Sequence, residues 1–126
     1  MDLQMIARAA EAAHEANRVL CMALGDNSQP KWEDAPEWQK NSAIAGVSQI
    51  QAHPDTTPEQ SHEGWLALKK AEGWKYGPTK NPETREHPCF LPYYQLPENQ
   101  RLKDEMFGIV VRAMLGISKV KLIIVA

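Results

Sequence analysis

Residues 62–97, HEGWLALKKAEGWKYGPTKNPETREHPCFLPYYQLP, set three aromatic motifs among turn formers. These are H-x-x-W (His62, Trp65), G-W-x-Y-G (Gly73 to Gly77) and H-P-C-x-L-P-Y (His87 to Tyr93). Glycine supplies positive φ, proline fixes φ, and large rings supply contact area at low entropic cost, so the combination predicts a rigid, shaped surface suited to a flat ligand. Between Gly73 and Pro97 lie five prolines and two glycines, which leaves room only for short regular pieces. Two small strands are expected there, around Trp74 to Tyr76 and Phe90 to Tyr93. A loop this long inside a compact domain is usually functional or disordered, and its aromatic content argues against disorder.

Upstream, the pattern turns helical. H-x-x-W falls in a helix announced by Thr57 as cap, Pro58 in the first position and Gln60 in the third, with Trp65, Leu66 and Leu68 following until Gly73. Before it, the spacing predicts a helix over 35–51, capped by Asp34 with Pro36 and Glu37 in its first turn. This helix carries Trp38, Ile44, Val47 and Ile50, with Gly46 costing about 1 kcal/mol of helix propensity. A first helix over 2–24 places Ile6, Ala9, Ala10, Ala13, Asn17, Leu20 and Leu24 on one face and stops at Gly25. The small alanines allow a neighbouring helix to approach closely. Downstream, a fourth helix follows Pro97, with Leu102, Met106, Ile109, Val110, Ala113 and Met114 expected on the buried face and Gly116 as the stop. The final SKVKLIIVA has a β-like composition. The fold expected is therefore mainly α, with about four helices and a long Pro/Gly/aromatic loop region holding two short strands, all in one domain over 1–126.

Composition removes several classes of function. The chain has 126 residues, 43% hydrophobic and 24% charged, with a net charge of −2, so no basic field exists to hold a nucleic-acid backbone. Nucleic acid is not expected as a main partner. No apolar run approaches the roughly 20 residues that span a bilayer. Asp2 and Arg8 interrupt any secretory signal, so a cytoplasmic location is expected. Two cysteines, Cys21 and Cys89, make neither a disulfide framework nor a zinc site, and four dispersed histidines leave a metal site possible without arguing for one, so no metal is assigned. No nucleophile elbow, zinc-protease helix or phosphate-binding loop is present, so no catalytic residue and no cofactor are assigned.

Taken in order, H-x-x-W, G-W-x-Y-G-P, H-P-C-x-L-P-Y, Leu96-Pro97 and Lys103-Asp104 make the chain resemble the ryanodine receptor repeat (RyR) domain. That module is small and mostly helical, occurring in tandem in animal calcium-release channels and singly in bacteria and phages. The core resemblance covers about 58–115, preceded by two helices that carry H-E-A-N-R (His14 to Arg18) and P-E-W (Pro36 to Trp38). It implies a short, single-domain bacterial or phage type, and a docking or nucleotide-sensing role instead of one defined catalytic activity. Calcium conduction is excluded by the lack of a membrane segment.

The candidate ligand-binding residues are His62, Trp65, Lys69, Trp74, Tyr76, His87, Tyr93, Lys103, Asp104, Asn17 and Arg18. His62, Trp65 and Lys69 share a helical face, where the indole offers a stacking platform and Lys69 a charge for phosphate; equally, Trp65 could be core and Lys69 solvated. Trp74 and Tyr76 point to opposite faces of a strand, one of them plugging the core. Pro88 keeps His87 extended, either for a ligand or bonded to a turn carbonyl. Tyr93 packs with its hydroxyl at the rim. Lys103 and Asp104 are expected to open the fourth helix, where the dipole favours an acid. Arg18 lies beside the alanine stripe and Asn17 on it, where a buried amide needs partners. The expected function is a non-enzymatic module binding a small planar anion, a nucleotide derivative foremost, with a homodimer as the expected assembly. The alternatives are a protein-interaction module, such as a phage protein on a host component, or a small nucleotide-acting enzyme.

Overall fold

The computed structural model describes residues 3–117. It consists of helices α1 (Leu3–Ala23), α2 (Glu37–Ala52), α3 (Pro58–Ala71) and α4 (Glu98–Leu115), with strands β1 (Lys75–Tyr76) and β2 (Glu86–His87) between α3 and α4. Two compact units form along the chain, one from residues up to Thr56 together with those from Lys103, the other Thr57–Leu102. The apolar C-terminal segment lies outside the described residues.

The first unit is built on the alanine stripe. Ile6, Ala9, Ala10 and Ala13 of α1, Val47 and Ile50 of α2, and Val111 and Leu115 of α4 form its buried core, with Phe107 and Trp32 packed against them. Because alanine ends at Cβ, α1 and α2 pack closely along this seam. Gly46 has a related reason to be glycine: a Cβ there would stand 2.9 Å from Phe107 Cζ, so the helix gives up propensity to admit the ring. Arg112 ties α4 to the connection after α2, its Nε donating to Pro54 O (3.2 Å) and its Nη2 to Thr56 O (2.5 Å).

Three helices end as their glycines predict. Gly25, Gly73 and Gly116 all have positive φ, and in each case the following N–H reaches back to the carbonyl five residues earlier: Asp26 to Cys21, Trp74 to Lys69 and Ile117 to Arg112. The start of α3 also follows expectation, with Thr57 Oγ1 accepting from Gln60 N and Gln60 Oε1 from Thr57 N.

Four local expectations are corrected. Trp32–Asp34 forms a 3-10 turn, so Asp34 does not cap α2, and Pro36 occupies the cap position without a side-chain bond. The second strand is Glu86–His87 instead of Phe90 to Tyr93: it pairs parallel with β1, Lys75 opposite Glu86 and Tyr76 opposite His87, while Pro92 leads Tyr93–Gln95 into a 3-10 turn. In α4 the buried residues are Gly108, Val111 and Leu115, whereas Leu102, Ile109, Ala113 and Met114 are exposed, because the helix is apolar on two faces and the core takes the other one. Leu24 and Trp38 are likewise exposed, Leu24 lying beyond the last turn of α1 and Trp38 facing away from the core.

Candidate functional site

The second unit gathers most of the aromatic candidates. The α3 capping box fixes the helix register, and positions i, i+3 and i+7 then carry His62, Trp65 and Lys69 up one face. The His62 ring stacks on Trp65, centroids 5.5 Å apart and planes 23° apart. Its Nε2 lies 2.7 Å from Leu91 O, and since a carbonyl only accepts, this nitrogen carries the proton. In this unit it is His62, and not His87, whose ring bonds a turn carbonyl.

The glycine stop of α3 positions the next indole. With Gly73 left-handed, Trp74 becomes the residue that folds back on the last turn, and Lys69 Nζ sits 5.4 Å from its ring centroid. This is cation–π range. Lys69 also pairs with Glu72 at 3.3 Å across an exposed surface. Arg85, itself left-handed at φ 57°, donates from Nη1 to Glu72 O at the end of α3, placing a cation where the helix dipole favours one.

His87 stands between the two indoles, edge-on to Trp65 at 5.0 Å and to Trp74 at 6.2 Å. Its Nδ1 accepts from Cys89 N–H at 2.9 Å, so the neutral ring carries its proton on Nε2. Burial pushes the His87 pKa below the usual imidazole value, and the charges of Lys80, Lys69 and His62 push the same way. Above pH about 6.5 the ring is neutral in folded and unfolded chains alike, and below it the unfolded chain takes up the proton first. Stability is thus expected to fall as pH drops from about 6.5 through the folded pKa. Thermal melts at pH 7.5 and 5.5 check this: His87→Asn, which keeps an acceptor for Cys89 N–H but cannot titrate, should show a smaller acid-induced drop than the wild type.

Tyr93 is buried, only 7% exposed, as the packing expectation has it, with its ring 6.1 Å from His62. Tyr94 crosses it at 5.2 Å and 80° and faces solvent, where its hydroxyl bonds the Glu59 carboxylate, which raises the phenol pKa. Tyr76 is exposed and Trp74 half-buried, so the two do point differently, with Trp74 the inward one. Phe90 completes the cluster at 6.3 Å from Trp65.

The remaining candidates belong to the first unit. Arg18 is paired with Glu15 at 2.8 Å, and Glu15 Oε2 accepts from Trp32 N at 3.0 Å, while His14 Nε2 donates to Pro30 O at 2.7 Å. The bond from Arg18 is the main reason the Glu15 carboxyl is held below its usual range. H-E-A-N-R thus clasps the 28–34 loop onto α1, a structural task that its spacing did not reveal. Asn17 is half-buried, and its Oδ1 has no hydrogen-bond partner among the described residues. Lys103 and Asp104 are half-buried one turn into α4; Glu98 is the acid of the first turn, because the helix begins directly after Pro97.

Two contributors carried no usable signal. Lys80 reaches His87 electrostatically from a loop whose path is not local, and the Cys89 N–H that fixes the His87 tautomer is backbone. Among the described residues, no three His, Cys, Asp or Glu side chains come together as a metal site, and no helix is long and apolar enough to cross a membrane. Neither Cys21 nor Cys89 is in a disulfide among the described residues.

The RyR domain family model matches residues 39–118, well over half of the chain. The match begins inside α2, earlier than the motifs alone mark out, and runs through the aromatic cluster and α4. On that match, with H-x-x-W, G-W-x-Y-G and H-P-C all inside it, the chain belongs to the RyR domain family.

Proposed function

We propose that the second unit is a non-enzymatic binding module for a small planar anion, a nucleotide derivative foremost. The observation that carries this reading is the placement of Lys69 over the Trp74 ring beside His87. Two half-buried indoles offer faces for stacking, worth roughly 1–3 kcal/mol per base on aromatic platforms. Lys69 and Lys80 supply the positive charge, and the imidazole, with Nδ1 occupied, has Nε2–H as its donor. Neutral His87 is a poor partner for a cation in this setting and a good one for a phosphate or carbonyl oxygen. The binding role is cytoplasmic in this reading, which the reduced thiols of Cys21 and Cys89 suit.

A protein partner is the second reading, favoured by the exposure of Leu68, Tyr76 and Tyr94 on the same unit. A thermal-shift panel of mononucleotides and dinucleotides tests the first. A nucleotide at 100 times its dissociation constant should stabilise by about 2.7 kcal/mol. Trp74→Ala with Lys69→Ala should abolish the shift while the far-UV spectrum stays helical. No shift from any nucleotide, together with capture of one stoichiometric protein, would move the assignment to the second reading.

A further inference from the structure

Around His87 the polar groups left for a ligand are donors. Nδ1 of the ring is taken by Cys89 N–H, and Nε2–H makes no hydrogen bond to a described residue. Lys69, in the last turn of α3, lies over the adjacent Trp74 ring, and Lys80, exposed in the 77–85 loop, is near enough for its charge to act on the imidazole. The acceptors are spent inside the unit. Leu91 O is held by His62, Glu72 O by Arg85, Arg85 O by Lys75 N–H, and His87 O by the N–H groups of Gly77 and Phe90. The carboxylates are committed too. Glu86, which alternates to the face of β2 opposite His87, accepts from Thr84 Oγ1 at 2.6 Å and lies against Gly77, while Glu72 pairs with Lys69. That pair is exposed and weak, and an ammonium has three donors, so Lys69 can still reach a ligand anion. His62 Nδ1 is an acceptor left over, on a ring stacked against Trp65.

We infer, resting on the binding role proposed for this unit, that the site recognises the phosphate of a nucleotide and leaves the base unread, with His87 as the residue that sets this preference. Telling adenine from guanine requires an acceptor for the adenine amino group as well as a donor. Stacking on an indole does not supply that distinction, because every base has a π-face. A phosphate oxygen only accepts, and it matches an N–H donor accompanied by two lysines. Cys89 makes the choice of donor definite. Protonating the ring would set Nδ1–H against Cys89 N–H, so the neutral imidazole presents one donor, at Nε2.

Calorimetric titration of the full chain at pH 7.5 with ADP, GDP, inorganic pyrophosphate and adenosine reads this. ADP and GDP should bind within about threefold of each other, pyrophosphate should compete with ADP, and adenosine should bind at least about tenfold more weakly than ADP. His87→Asn keeps an acceptor for Cys89 N–H and removes the donor, so it should weaken ADP about tenfold and leave the ADP-to-GDP ratio unchanged. Lys80→Ala, a change at an exposed side chain, should weaken ADP about threefold at an unchanged melting temperature, which keeps the inference open to refutation even where His87→Asn does not fold. Adenosine bound as tightly as ADP, a preference of more than about tenfold between ADP and GDP, or undiminished ADP affinity in either folded variant would each overturn the inference while leaving the binding role in place. Binding of none of the four ligands would remove both.

Discussion

Ala13→Leu is expected to destabilise the first unit by about 1–3 kcal/mol, enough to lower the melting temperature by several degrees. Ala13 has no exposed surface and sits in the seam where α1 and α2 pack closely. Three added carbons have no void to enter, because interiors are packed to crystal-like density. Either the two helices separate, exposing Val47 and Ile50, or leucine takes a strained rotamer. Leucine is itself an excellent helix former, so any loss cannot be assigned to propensity. Val19→Leu on the exposed side of α1 is the matched control and should change stability by no more than about 0.5 kcal/mol. Equal melting temperatures for Ala13→Leu and wild type would mean that the alanine stripe is not the seam.

Gly77→Ala should damage the second unit comparably, by about 1–3 kcal/mol. A Cβ at Gly77 would stand 2.5 Å from Glu86 Cβ, an atom fixed by the β2 backbone and unable to rotate away. The N–H of Gly77 also donates to His87 O at 3.3 Å, so relieving the clash pulls on the strand that carries the central imidazole. The variant is therefore expected to lose ligand-induced stabilisation as well as intrinsic stability. Gly64→Ala separates these effects from a generic intolerance of glycine replacement. In mid-α3, with nothing within 4 Å of its added Cβ, it should stabilise by about 0.4–1 kcal/mol. Guanidinium melts of the three proteins, compared at their midpoints, give the result.

What could be read from sequence was what local chemistry decides. The Thr57-Pro58-Gln60 cap and the glycine stops at 25, 73 and 116 depend on neighbours within five residues, and they stand where expected. The alanine stripe of α1 was legible because small residues at helical spacing have one geometric use. In α4 the period was right and the face was wrong. Two apolar stripes satisfy the same 3.6-residue rhythm, and only tertiary packing chooses between them. The strand at Glu86–His87 was misplaced because its partner, β1, is fixed by a loop path and not by any residue pattern in the strand itself. The site divides the same way. His62, Trp65 and Lys69 follow from helix spacing, and Trp74 from the helix stop. His87 reaches them through non-local pairing, and Lys80 through the course of the 77–85 loop. Arg18, read as a binding group, is engaged in the Glu15 pair that holds Trp32, a contact seventeen residues away that no spacing predicts.

The aromatic and cationic groups of the second unit are tested most directly by an NMR titration of the full chain with the nucleotide panel, following the indole N–H signals of Trp65 and Trp74 and the ring signals of His87. Binding at the cluster predicts saturable shifts in these resonances for at least one nucleotide, with the Trp38 indole, exposed at the start of α2 in the first unit, unmoved. Indole and imidazole signals that stay in place across the whole panel at millimolar concentration would contradict the binding assignment.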